Sequence, residues 1–174
     1  MRQIAPALFL LALAASLPPE IGRYTAERRL RRGTEEFRAA LSSGGGADSG
    51  LLLLDRAALA GAEISKDLPH DPRPLILAGS SHLLARRTRE ALDHYRRAFE
   101  TGERAEIDLN LGRAYGMAGD RKKASGAVLR ALWISPTLAA SLPKEAANEF
   151  AKRIRGLEAD LRAGRLQAPP PPPD

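Results

Sequence analysis

Ser141-Leu142-Pro143-Lys144 spells the Ser-x-x-Lys of some serine acyl-enzymes. A helix start opened by serine and proline accounts for the same four residues more simply. His70, His82 and His94 recur every twelve residues. That spacing puts no two of them on one helix face at metal-ligand separation, and His82 reads as a packed residue between helices. The run Gly44-Gly45-Gly46 lacks the Lys-Ser or Lys-Thr that must follow, and the strand that must precede, a phosphate loop. Gly-x-Ser-x-Gly and His-Glu-x-x-His are absent. With no cysteine there is no disulfide framework, thiolate metal site or cysteine nucleophile. The expectation is a chain that is not an enzyme and uses no cofactor or metal.

The material available to position a site is helical. Alanine and leucine dominate, and both form helices and pack without polar atoms. Runs of valine, isoleucine, threonine and aromatics, the usual stuff of strands, are missing. A length of 174 residues suits one domain with appendages. The net charge of +6 invites an anionic partner. Against nucleic acid stand the modest excess, the interspersed acids and an aromatic content of only 5%.

The chain divides by composition. Residues 1–22 have the layout of a signal peptide or membrane anchor: positive Met1-Arg2-Gln3, an apolar run from Ile4 to Leu17, and Ala14-Ala15-Ser16 as an exit site. The run is short of the ~20 residues of a full span. Arg23, Arg28, Arg29, Arg31 and Arg32 follow it and pull towards a cytoplasmic side. The expectation is a membrane-associated, periplasm-facing protein, by cleaved signal or uncleaved anchor, with a cytoplasm-facing anchor as the alternative. Residues 23–41 read as a charged helix, and 42–50 as a flexible linker. Leu51 to Leu68 is a helix that Asp48 or Ser49 caps. A final helix over 143–163 carries the stripe Ala147, Phe150, Ile154, Leu157 and Leu161. It packs on the preceding helices, with half of a coiled coil as the rival reading and Trp133 buried against it. Residues 165–174 form a proline-rich tail, extended and disordered.

Within residues 51–164 the sequence repeats. Gly79 falls over Gly112, His82 over Tyr115, Ala91 over Ala124, Tyr95 over Val128 and Ala98 over Ala131, always 33 positions apart. Two antiparallel helices approach closely only where small side chains meet, with large ones filling the gaps beside them. The best copies are 72–104 and 105–138. Ala58, 33 positions before Ala91, marks an upstream helix as the second half of a degenerate unit. The second copy departs from the first at Asp108, which stands where Leu75 gives a large apolar residue.

The unit resembles the tetratricopeptide repeat (TPR), about 34 residues long. The resemblance rests on Asn110-Leu111-Gly112, Tyr115, Gly119-Asp120, Ala124, Ala131 and Pro136, and on Ala78-Gly79, Glu90-Ala91-Leu92, Tyr95 and Ala98. It implies an all-α fold: a short TPR-like superhelix, with an N-terminal signal or anchor helix and a C-terminal capping helix. It also implies a groove, lined by the first helix of each unit, that takes a peptide or a partner's helix. Asn110 and Arg113 fall on places where family members hydrogen-bond a ligand's backbone and hold a carboxylate. An amide donates and accepts at once, and a guanidinium fits a carboxylate on two bonds. In the first copy the matching places are Leu77 and Ser80, so a full carboxylate clamp is not expected. The expected function is a protein-binding adaptor or scaffold at the bacterial cell envelope, its partner a protein or peptide and its membrane contact the N-terminal segment. The alternatives are a cytoplasm-facing anchored regulator and a basic helical module for nucleic acid or anionic lipid.

Overall fold

In the computed structural model the backbone is described for residues 4–42 and 47–172, with side chains from residue 20 and residue 48 onward in the two segments. Among the described residues there are α1 (Ile4–Ser42), α2 (Ala47–Asp67), α3 (Pro72–Leu84), α4 (Thr88–Glu100), α5 (Ala105–Met117), α6 (Arg121–Ile134), a 3-10 turn (Pro136–Ser141) and α7 (Lys144–Arg162). The fold is all-α, as composition required, and none of the described residues lies in a strand. Each helix packs on the next, from α1 to α6, and the first helices of the three pairs also touch in order, α1 with α3 and α3 with α5. That is the contact pattern of stacked helical hairpins.

The helix boundaries follow local chemistry. Asp71 opens α3 by accepting a bond from the Arg73 amide at 2.9 Å, and Pro72 and Pro74 occupy first-turn positions whose amides have no helical partner. Asp120 opens α6 in the same way, accepting from the Lys123 amide at 3.0 Å. Between the helices of a pair the chain must turn through the left-handed region. Gly119 does so at φ +83, and Arg86, 33 positions earlier, at φ +63. The two turns are the same turn, one built with glycine and one without.

The repeat offset recurs in three dimensions. Gly79 lies against the ring of Tyr95, and Gly112 against Val128 and the Ala124 carbonyl. The two contacts are equivalent, since Gly79 aligns with Gly112 and Tyr95 with Val128. Leu75, Ala91, Tyr95, Ala98, Ile107, Leu111, Ala114 and Tyr115 make the central core. Ala26, Leu30, Ala57, Ile64 and Leu77 make a second, where α1 and α2 cover the first copy. Leu109, Val128, Ala131 and Leu132 make the third, closed by Leu138, Leu142, Phe150 and Ile154. The upstream helix is thus the second half of a hairpin, and α7 packs on the repeat.

Four expectations need correction or restriction. Ala47 to Gly50 belong to the first turn of α2, so Asp48 and Ser49 sit inside that helix and do not cap it. The rest of the expected linker, 43–46, lies outside the described residues, as do the side chains of residues 1–19 in the expected signal or anchor. Among the described residues no helix is long and apolar enough to cross a membrane. The tail, described as far as Pro172, does not stand free of the helices, since Pro170 is buried against α6. Trp133 is only half-buried, and the α6–α7 contact falls to Leu132, Phe150 and Ile154.

A left-handed backbone costs a residue with a Cβ roughly 1–2 kcal/mol, part of which glycine returns through unfolded-state entropy. Replacing Arg86→Gly is therefore expected to raise stability by about 0.5–1 kcal/mol in urea unfolding, while Gly119→Ala lowers it by about as much. An Arg86→Gly chain no more stable than the wild type would show that the two turns are not equivalent.

Candidate functional site

Three of the four residues expected to line a groove come together. Ser80 on α3 shares a hydrogen bond of 2.9 Å with the hydroxyl of Tyr95 on α4. Tyr95 is fully buried, and burial pushes its hydroxyl up to about 12, against the pull of the Ser80 bond and of the nearby positive charge of Arg113. Arg113 on α5 donates to Asn110 Oδ1 at 3.1 Å and to Ser141 Oγ at 3.3 Å. The guanidinium is thus aimed by two neutral acceptors while its residue stays exposed. None of the ion pairs among the described residues involves it.

Leu77 is elsewhere. It is 7% exposed and packs against α1 and α2, one of its Cδ atoms 3.0 Å from where a Cβ on Gly33 would stand. The groove expectation for Leu77 fails for a local reason: the hairpin of α1 and α2 stacks on that side of α3 and covers it.

That hairpin adds basic side chains that spacing on α3 and α5 alone could not reveal. Glu27, Leu30, Arg31, Thr34 and Arg38 of α1 and Arg73 of α3 line one cleft. Arg73 is tied to Glu27 at 2.6 Å and to Asp71, and these partners raise its already high pKa. Positions 27, 31, 34 and 38 follow helical spacing, which is the signal that could have found them.

Two further groups bear on chemistry. Ser141 Oγ donates to the Leu138 carbonyl at 2.8 Å, which commits the proton a nucleophile would have to lose. His82 and His94, on α3 and α4, stack with ring centres 5.2 Å apart and planes 5° apart. Both Nδ1 atoms are buried without a partner. Burial holds both imidazoles below their ordinary range, and the charge of Arg87 acts on His82 in the same sense. The spacing of twelve was weighed along one helix, so it hid a contact between two. Among the described residues no three His, Cys, Asp or Glu are grouped to hold a metal.

Asp108, the residue that broke the repeat, is fully buried in α5 beside the Glu103 carboxylate and the Arg130 guanidinium. Burial and the negative charge of Glu103 push it up to about 7, while Arg130 pulls the other way. Comparison with protein-family models, with curated proteins and with solved structures gives no match for this chain.

The Asp108 carboxyl binds its proton up to about pH 7 when folded but only to about 3.8 otherwise. The folded chain therefore carries the extra proton between those values, and stability falls as pH rises through them. Asp108→Leu, which restores the residue type of Leu75, is expected to stabilise the chain, by on the order of 2 kcal/mol more at pH 8 than at pH 5. Urea unfolding at both pH values checks this, and an equal effect at both would show that Asp108 does not titrate in this window.

Proposed function

We propose that the chain is a TPR-type adaptor that binds an extended segment of a partner protein along its first helices, α1, α3 and α5. The observation that carries the reading is Arg113: an exposed guanidinium, aimed by Asn110 and Ser141 and without a carboxylate of its own. A surface arginine held by neutral acceptors is positioned for an incoming acid, and a second charge-assisted bond forms without further ordering. Ser80 and Asn110 supply polar contacts for a backbone, and Arg31 and Arg38 extend the basic character towards α1. The partner this favours is a peptide with a carboxylate, at its C-terminus or on a side chain. Recognition, not catalysis, is the role, since Ser141, which invited a catalytic reading, is engaged in structural hydrogen bonds. The signal-like N-terminus supports work at the cell envelope, facing the periplasm.

A second reading has its own observation. Arg23, Arg28 and Arg31 are exposed on α1 and take part in no ion pair among the described residues. Ile21 and Tyr24 lie exposed beside them, 59% and 64% accessible. Such a face suits an anionic lipid surface next to the apolar N-terminal run.

Selection of peptides from a displayed library on the full chain tests the first reading. Asn110→Ala and Arg113→Ala are each expected to weaken selected peptides about tenfold, a loss typical of one charge-assisted contact, while Arg121→Ala leaves affinity unchanged. Peptides that bind all three variants equally would move the site away from α5. Binding to anionic vesicles that collapses with added salt, alongside peptide binding that fails altogether, would favour the second reading.

A further inference from the structure

The proline-rich tail is itself seated in a site at residues 170–172. Pro170 is buried, and its carbonyl accepts a bond of 2.8 Å from Nη1 of Arg130 on α6. The guanidinium is clamped from behind by Glu103, which accepts from its Nε at 2.6 Å and from its Nη2 at 2.8 Å. Both Glu103 bonds come from α5's side of the cleft and not from the tail, so they hold the Arg130 guanidinium in place whether or not the tail is seated. Gly126, Ala127 and Leu129 line the cleft together with Pro170, Pro171 and Pro172, and Lys122 and Lys123 border it.

A polyproline segment has no backbone N–H and is extended in advance, so its receptor must supply donors to its carbonyls and little ordering entropy is lost on docking. A fixed arginine above a smooth strip of glycine, alanine and leucine meets those needs. We propose that this face of α6 is a recognition site for proline-rich extended segments, and that the chain's own tail is its occupant in cis, to be displaced by such a segment of a partner protein. The tail hangs on a short connection from the end of α7. Occupancy in cis therefore means a high local concentration and a modest contact, which a partner overcomes by making more contacts than three seated prolines do. The site lies on the second helix of its pair and is independent of the reading given to Asn110 and Arg113.

The test uses the full chain and a fluorescent peptide of its own residues 167–174 as the probe. Changing Pro169 to Pro173 all to serine empties the site and is expected to tighten peptide binding about tenfold over the wild type, by removing competition in cis. In that background, Arg130→Gln is expected to return affinity to the wild-type value or below. Because Arg130 neighbours buried Asp108 and that variant could misfold, Gly126→Gln serves as the second. Gly126 lines the cleft, and a Cβ there meets nothing within 4 Å, so the longer side chain crowds the cleft from its lining without disturbing the core. It too is expected to weaken the peptide at least tenfold. Equal binding by wild-type and serine-tailed chains, or binding that survives Gly126→Gln, would overturn the proposal.

Discussion

Helix α2 lies against α3 only because Gly61 presents no side chain there. A Cβ at that position would stand 2.4 Å from the Pro74 carbonyl oxygen and 2.9 Å from the Ala78 nitrogen, distances no backbone tolerates. Gly79 does the same for the ring of Tyr95, and Gly112 for Val128. These approaches set the spacing within each pair and between pairs, and the other features of the fold follow from them. With axes that close, Tyr95 is buried between its neighbours, its hydroxyl finds Ser80, and the first helices line up beside one another. Polar side chains on α3 and α5 thereby share one surface, although they are far apart in sequence.

Close packing also leaves polar groups where water cannot reach them. An aspartate at the place Leu75 fills in the first copy is held at a cost that grows with pH, partly offset by the charge of Arg130. The stacked histidines weigh in the opposite direction. Their pKa values are lowered, so the stability they permit is present above pH 6.5 and is lost as pH falls below it. The two terms oppose each other where their pH ranges overlap. The same region supplies the Glu103–Arg130 clamp that receives the tail, so the residue that spoils the repeat sits behind the one the tail needs.

Much of the fold was legible in the residues. The offset of 33 aligned glycine with glycine and alanine with alanine, and the contact of Gly79 with Tyr95 recurs at the aligned positions as Gly112 with Val128. Gly119 with Asp120 stood at the turn of the second copy, where the structure has a left-handed glycine and a helix cap, chemistry that acts locally. What stayed hidden depends on contacts between elements. Leu77 looked like a groove residue until α1 and α2 covered it, and the histidine stack needed two helices side by side. The proline tail read as disordered because nothing in a proline run says which surface it meets. Arg86 could not announce a left-handed turn, since arginine carries no preference for one; only its alignment with Gly119 does. Of the proposed groove, Asn110, Arg113 and Ser80 were suggested by the family resemblance, while Arg31 and Arg38 needed the α1–α3 contact.

The central claim is that a partner segment lies across the first helices. Hydrogen exchange of the full chain with and without a selected peptide tests it most directly, because it separates three surfaces in one measurement. The account predicts slowed exchange in α3, in α5 around Asn110 and Arg113, and in the 3-10 turn at Ser141, with α6 unchanged. Slowing confined to α1, or to α6 and the tail, would contradict it.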